Sequence, residues 1–310
     1  MKDVRILFLA PHWRVALVRA FAESSLRVVA DSDPHSAASR IAERAHVIPR
    51  FTEEGCVEAI LDVCHKENID AILPLTNKAI HFMDANRDRF DQAQWLFYLP
   101  DPETIKTCTD KRRLADFFKA EGIASPGLVN PGEPFPGFPL IAKDPCGEGG
   151  KNCFKMDSQA DLDFYSKKYP GHIFQQFIEG REFSIDWFAD RHGAPLVIVP
   201  RERLVVRSGE VMVSRIDLNP DIIEAARKTG TRLNLRGPAN LQGILNEAGE
   251  FLFTDVNLRF GSGAVHTIQA GADIPGMMIR ELAGESVEGV SSSVKNGSLM
   301  TRFHDALFSS

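Results

Sequence analysis

The sequence has 310 residues, 44% of them hydrophobic and 25% charged, and a net charge of −6. That length predicts two or three domains, and the lack of a long Lys/Arg block argues against nucleic acid or an anionic membrane surface as partner. No apolar stretch approaches the ~18 residues of a membrane-spanning helix. Residues 1–5 lead into a strand and lack a signal-peptide profile, so a cytoplasmic protein is expected. The five cysteines (Cys56, Cys64, Cys108, Cys146, Cys153) are odd in number and lack CxxC spacing, as expected of reduced thiols.

Residues 4–10 form a short apolar run typical of a buried parallel strand. Trp13, Ala16, Leu17, Ala20 and Phe21 then recur at helical spacing. Strands are predicted at 26–30, 71–75 and 95–99, with helices around Val57, Ile60, Leu61 and Cys64 and from about Lys78. This alternation predicts a small doubly wound, Rossmann-like α/β sheet. The first turn, Ala10-Pro11-His12-Trp13-Arg14, has no glycine to admit a pyrophosphate, which disfavours NAD or FAD. His12 and Arg14 at one strand end, and Thr76 and Asn77 after another, are candidates for holding a small substrate. Loop capping and solvated charge are the simpler explanation of each alone.

Pro100-Asp101-Pro102 marks a boundary. Asp110 can cap a helix over 111–121, stopped by Gly122. Lys111 in its first turn opposes the helix dipole, which suggests an anionic ligand. A strand at 139–143 ends in Lys143 and leads into a loop with Gly147, Gly149, Gly150 and Lys151. Such a loop can clamp phosphate through backbone N–H groups and lysines, or be a mobile surface hairpin; it is not a Walker A loop. Cys146 and Cys153 flank it without a local base, which makes a catalytic thiol improbable. Strand patterns at 172–178, 182–188, 196–199 and 204–206 predict an antiparallel sheet. Arg201, Arg203 and Arg207 either read a carboxylate or phosphate or line a solvated sheet edge. Helices are predicted over 220–233 and 274–282, and residues 291–310 carry no pattern.

Residues 238–245 and 251–257 read as a hairpin around 246–250. A turn centred on Ala248-Gly249 sets Gln242 opposite Asp255 and Asn240 opposite Asn257. Leu241, Leu245, Leu252 and Val256 then face a core, while Gln242, Asp255 and Asn257 share the other face. Those polar groups must be solvated, hydrogen-bonded or bound to a cation, and their oxygens suit Mg²⁺ better than zinc or copper.

In this order the pieces resemble the ATP-grasp superfamily, closest to its carbamoyl-phosphate-synthase-like and pyrrolysine-biosynthesis-ligase-like members, over nearly the whole chain. The resemblance implies a Rossmann-like pre-ATP-grasp domain at 1–105 and an α+β ATP-grasp fold at 106–310, with a small mobile lobe at about 123–180 and a larger lobe at about 181–310. It implies ATP contacts at Lys111, Lys143, Gly147, Gly149, Gly150 and Lys151. The adenine segment matches Gln175-Gln176-Phe177-Ile178 and the ribose acid matches Glu182. The metal ligands match Asp255 and Asn257, with Gln242 beside them. Arg259 matches the arginine that holds the transferred phosphate, and Arg201 and Arg203 match a substrate-side segment. Four departures from the family pattern stand out: Asp255 replaces a glutamate, Leu258 a proline, Glu148 a basic loop centre, and Pro11-His12-Trp13 a glycine-rich turn.

The activity so implied is ATP-dependent carboxylate–amine ligation. Asp255 and Asn257 hold Mg²⁺ or Mn²⁺ at the ATP phosphates, and Lys111 and Lys143 neutralise them. A carboxylate attacks the γ-phosphate, and Arg259 and Lys143 stabilise the acyl phosphate until an amine displaces phosphate. Small carboxylates and amines, possible ligands of Arg201, Arg203, His12, Arg14, Thr76, Asn77 and His266, are the implied partners, and a homodimer is common in the family. The alternatives are an ATP-grasp kinase, a carboxyphosphate or carbamoyl-phosphate enzyme, and a non-catalytic ATP-binding protein.

Overall fold

The computed structural model describes residues 4–91, 95, 98–147, 149–150, 152–287, 293–303 and 305–308. The chain opens with strands β1 (Arg5–Leu9), β2 (Leu26–Asp31), β3 (Arg44–Val47) and β4 (Ala71–Pro74), all parallel, in the order β3-β2-β1-β4. Helices α1 (Val15–Arg19), α2 (Cys56–Glu67), α3 (Asn77–Ala85) and α4 (Arg87–Asp91) complete this unit. β1 is central, so both its faces are buried: Leu7 and Leu9 pack into one core, Ile6 and Phe8 into another. The edge strand β3 escaped the sequence pattern because it is short and mostly exposed. The strand expected at 95–99 is not present among the described residues. Trp95 and Tyr98 lie in turns, and one bond, Ile72 N–H to the Trp95 carbonyl at 2.9 Å, joins the stretch to β4. Residues 96 and 97 fall outside the described residues.

Helix α5 (Pro102–Thr109) starts on Asp101, whose carboxylate accepts from Thr104 N–H at 2.9 Å. Asp110 likewise accepts from Arg112 N–H at 2.8 Å and opens α6 (Lys111–Ala120), as its sequence position predicted. A second sheet then forms from β5 (Leu128–Val129), β6 (Leu140–Lys143), β7 (Phe154–Met156) and β8 (Ile173–Gln176), in the antiparallel order β5-β8-β6-β7. With α7 (Gln159–Lys168) it closes on a core of its own, made by Val129, Leu140, Ala142, Met156, Leu162 and Phe174.

The largest sheet contains β9 (Arg181–Ala189), β10 (Pro195–Arg207), β11 (Glu210–Ile216), β12 (Gly237–Leu245), β13 (Phe251–Asn257) and β14 (Leu299–Thr301). Their order is β13-β12-β9-β10-β11-β14. β10 is one continuous strand where two short ones were expected, and β14 arises from the patternless tail by pairing with β11. Helices α8 (Pro220–Arg232), α9 (Ala264–Gln269) and α10 (Ile274–Leu282) complete the chain. Phe183, Ile185 and Trp187 of β9 point to the core shared with α5, α6 and α8, and Phe188 to the core shared with α1 and α10. No helix among the described residues is long and apolar enough to cross a membrane.

The hairpin β12–β13 has the expected pairs Asn240 with Asn257 and Gln242 with Asp255. A bulge lies between those pairs and the turn, since Gly243 pairs with Phe253. One extra residue flips the alternation. Phe251 and Phe253 therefore join Leu241 and Val256 in one core cluster, while Leu252, also buried, lies outside that cluster.

Candidate active site

The second sheet and the largest sheet enclose a cleft of about 1110 Å³. Its walls include Lys111, Lys143, Gly147, Gly149 and Gly150 on one side, and Asp255, Asn257, Arg259, Arg201, Arg203 and Gln242 on the other. Gln176, Phe177, Ile178, Glu182 and Arg14 also line it. These residues span most of the chain, and all were singled out by sequence. Lys151 lies outside the described residues.

Two lysines meet one carboxylate at the floor. Lys111 Nζ donates to the Gly147 carbonyl at 2.7 Å and stands 3.9 Å from Asp255 Oδ1. Lys143 Nζ donates to Gln175 Oε1 at 3.0 Å, while Gln175 Nε2 donates to the Pro126 carbonyl at 3.0 Å. Burial holds the Lys143 ammonium below the ordinary lysine range, against the pull of Asp255. Gln175 is thus buried as the support of Lys143. The Phe177 N–H is bonded to the Pro139 carbonyl at 3.0 Å, and the Lys155 ammonium lies 4.8 Å from the Phe177 ring centre.

On β13, Asn257 Nδ2 donates to Asp255 Oδ2 at 3.0 Å. Arg259 Nε donates to Asn77 Oδ1 at 3.0 Å, and its Nη2 donates to Asn257 Oδ1 at 3.4 Å. Among the described residues, no three His, Cys, Asp or Glu side chains gather as a self-sufficient metal site. Asp255 with the Asn257 and Gln242 amides offers one carboxylate and neutral oxygens. That set suits Mg²⁺, which commonly takes one or two carboxylates and fills its shell with phosphate oxygens and water.

Below the cleft runs a buried network that sequence reading missed. Asp186 accepts from Arg201 Nε at 2.6 Å, Arg201 Nη2 at 3.0 Å, Thr267 Oγ1 at 2.5 Å and Asn240 Nδ2 at 3.3 Å. Asn240 Oδ1 in turn accepts from Gln242 Nε2 at 3.2 Å. The available signal was a charge in the middle of the strand pattern at 182–188, opposite an arginine-bearing strand. Gly261-Ser262-Gly263 lies flat on this network. A Cβ on Gly263 would stand 2.5 Å from Arg201 Nη1, and one on Gly261 would stand 2.9 Å from the Asn240 amide. Arg203 Nη1 lies 3.3 Å from Glu182 Oε2, and burial lowers the Arg203 pKa.

The remaining candidates divide. Arg14 reaches the cleft and donates to the Phe260 carbonyl at 2.9 Å. Asn77 acts through Arg259. Thr76 caps α3, accepting from Ala79 N–H at 3.1 Å. His12 is clamped on buried Asp31, by its N–H at 2.9 Å and its Nδ1 at 3.3 Å, and neither it nor Thr76 lines the cleft. His266 is buried between Ser214 Oγ at 2.9 Å and Ser298 Oγ at 3.1 Å, also away from the cleft walls, with a pKa lowered by burial and by Arg201.

The roof brings two glycines together. Ser208 and Gly209 turn β10 into β11 with φ of +49° and +80°. A Cβ on Gly209 would stand 2.7 Å from the Gly149 carbonyl oxygen. Only a residue without a side chain allows this approach.

Comparison with known families matches residues 6–95 to a model described as "PylC-like, N-terminal domain" and residues 168–303 to one described as "ATP-grasp in the biosynthetic pathway with Ter operon". Residues 168–303 thus match an ATP-grasp family model, as the resemblance implied. Among curated proteins, the chain is 24% identical to pyruvate carboxylase of Aspergillus niger, over 88% of its own length and 26% of the relative's. It is 22% identical to the 3-methyl-D-ornithine--L-lysine ligase of Methanosarcina barkeri, over 76% of its length and 60% of the relative's. The chain thus spans about a quarter of the pyruvate carboxylases that it matches. Among solved structures, it superposes on the L-amino acid ligase from Bacillus licheniformis with a TM-score of 0.73 at 17% identity, covering 94% of this chain and 78% of that one. With the biotin carboxylase domain of Hydrogenobacter thermophilus 2-oxoglutarate carboxylase, described with MgADP and bicarbonate, the TM-score is 0.75 at 17% identity, covering 96% and 74%. At these identities the structures establish the shared ATP-grasp fold.

Proposed function

We propose that this ATP-grasp chain is an ATP-dependent carboxylate–amine ligase that forms an amide or peptide bond through an acyl phosphate. The observation that carries the reading is the convergence of Lys111, Lys143, Asp255, Asn257 and Arg259 on one cleft roofed by a glycine loop. The similarity to the methylornithine–lysine ligase and the amino acid ligase supports it.

In this reading Lys111 and Lys143 neutralise the triphosphate, Gly147, Gly149 and Gly150 cover it, and Lys151 stays an ATP-binding candidate on the family resemblance alone. Gln176, Phe177 and Ile178 flank the adenine, with Gln175 acting through Lys143, and Glu182 takes the ribose hydroxyls. Asp255 and Asn257, with Gln242 oriented by Asn240, would hold Mg²⁺ or Mn²⁺, which supplies charge neutralisation at the phosphates. Arg259 and Lys143 face the oxygens that gain charge as the substrate carboxylate attacks the γ-phosphorus and ADP leaves. The amine then attacks the acyl carbon, phosphate departs, and the amine gives its proton to solvent. Closing the roof excludes water from the acyl phosphate. Arg14, Arg201 and Arg203 lie on the substrate side. His12, Thr76 and His266 are assigned supporting positions.

The same proposal takes the domain division at about residue 105, a small lobe at 123–180, a cytoplasmic setting and a homodimer as its working description. The test is ADP release from a panel of carboxylates against amines, with mass spectrometry of the product. Lys143→Ala and Asp255→Asn are expected to lower turnover at least about a hundredfold with the fold intact by circular dichroism. Wild-type turnover in both variants sinks the reading, and ADP release that gives a phosphorylated product but never needs an amine assigns a kinase instead.

A further inference from the structure

The first residue after β14, Arg302, makes a contact that the proposed chemistry does not yet use. Arg302 Nη2 donates to the Ser262 carbonyl oxygen in a short hydrogen bond, and Arg302 Nη1 stands 3.6 Å from Glu210 Oε2. The Arg302 N–H also donates to the Met212 carbonyl at 2.7 Å. One residue thereby ties the β10–β11 hairpin to the Gly261-Ser262-Gly263 loop. Ser262 and Glu210 both line the cleft.

Each segment tied in this way touches another part of the site. The hairpin turn at Gly209 packs on Gly149 of the glycine loop. The 261–263 loop lies on Arg201 and Asn240, and Asn240 orients Gln242. The chain just before that loop carries Arg259. The Arg302 guanidinium thus joins the hairpin that packs on the glycine loop to the 261–263 loop, beside the contact that Arg201 of β10 makes with Gly263. A guanidinium suits this task because its planar fork reaches two acceptors at once; an ammonium is a single point charge.

Resting on the ligase reading above, we infer that Arg302 is a positioning residue that couples closure of the roof to the set of the 261–263 loop, so that the acyl phosphate is shielded from water until the amine arrives. Arg302 touches no reacting atom in this scheme. Its side chain is 24% exposed, so a substitution that keeps most of its length, glutamine or lysine, is the suitable test.

Arg302→Gln removes the charge, and Arg302→Lys keeps it without the fork. Both are expected to leave the KM for ATP within about twofold of wild type. Amide formation is expected to fall about tenfold while ADP release falls less, so the ratio of ADP released to amide formed rises. A merely structural role would lower both together. Arg302→Lys is expected to restore less than half of the lost coupling. Glu210→Gln is expected to uncouple in the same direction, and the double variant Arg302→Gln/Glu210→Gln to be less than additive.

A measurement without the ligase chemistry runs alongside: amide hydrogen exchange of residues 206–211 with and without Mg²⁺ and a non-hydrolysable ATP analogue. Nucleotide is expected to slow exchange in wild type and to slow it far less in Arg302→Gln. An unchanged ADP-to-amide ratio, strictly additive variants, or equal protection of the hairpin in wild type and Arg302→Gln each overturns the inference while leaving the ligase reading in place. If wild type forms no amide from any pair, the ligase reading fails, and the hairpin exchange then decides the coupling by itself.

Discussion

Asn77 accepts a hydrogen bond from Arg259 Nε at 3.0 Å across 182 residues of sequence. The first turn of a helix in the N-terminal unit therefore orients the guanidinium that faces the cleft. Asn77→Ala removes one of the hydrogen bonds that orient Arg259 and is expected to lower kcat about ten- to hundredfold with little change in the KM for ATP. The α3 cap is made by Thr76, so stability is expected to change by less than about 1 kcal/mol. Steady-state ADP release and a urea titration check the two halves of this statement.

Lys143 gives a pH signature of defined sign. Burial holds its pKa below the ordinary lysine range, so above that lowered value the unfolded chain binds more protons than the folded one. The stability of the ligand-free protein rises with pH from the lowered value up to the ordinary lysine range. ATP prefers the protonated form, so its affinity runs the other way and falls as pH rises through the lowered value. Lys143→Met is expected to remove both slopes. Urea midpoints and ATP titrations from the lowered value up to the ordinary lysine range measure them.

Asp186 and Arg201 are 3% and 1% exposed at the side chain. Asp186→Asn leaves a buried guanidinium without its anion, and the expected loss is about 3–5 kcal/mol of stability. Equilibrium unfolding in urea reads this directly, and a loss below about 1 kcal/mol contradicts it.

Gly230 sits in α8 under a tryptophan. A Cβ there would stand 2.5 Å from two ring carbons of Trp187, which is itself fully buried. Alanine gains about 1 kcal/mol of helix propensity, but overpacking costs about 1–3 kcal/mol. Gly230→Ala is therefore expected to destabilise, and a higher Tm for the variant would show that the packing gives way easily.

The sequence carried the fold wherever a period was long enough to read. β1, α6, α10 and the β12–β13 hairpin were legible because burial imposes alternation or helical spacing over several residues. Asp255 and Asn257 do lie opposite Gln242 and Asn240 as expected, but the register beside the turn is Leu245 with Phe251, one residue off the assumed centre, and the bulge at Thr254 makes up the difference. The bulged strand carries no glycine of its own to mark it, although Gly243 stands at the shift on the partner strand. β3 and β14 are three or four residues long and mostly exposed, too short to show a period. Asp186 lay hidden inside a strand, and its partners Arg201, Asn240 and Thr267 come from three different elements. His266 drew attention as a lone histidine past a glycine pair, although two serine hydroxyls account for it.

The meeting of Gly149 and Gly209 has a consequence for how long a product stays. Two bare backbones touch there, and each atom pair in such a contact contributes only about 0.1–0.2 kcal/mol. These two glycines add no side-chain contact to the Arg302 and Lys111 bonds that hold their segments. On the proposed ligase reading, a bound nucleotide would therefore add most to closure at this point, and release of ADP and phosphate would loosen it, with a residence time set by how tightly the lysines grip what remains.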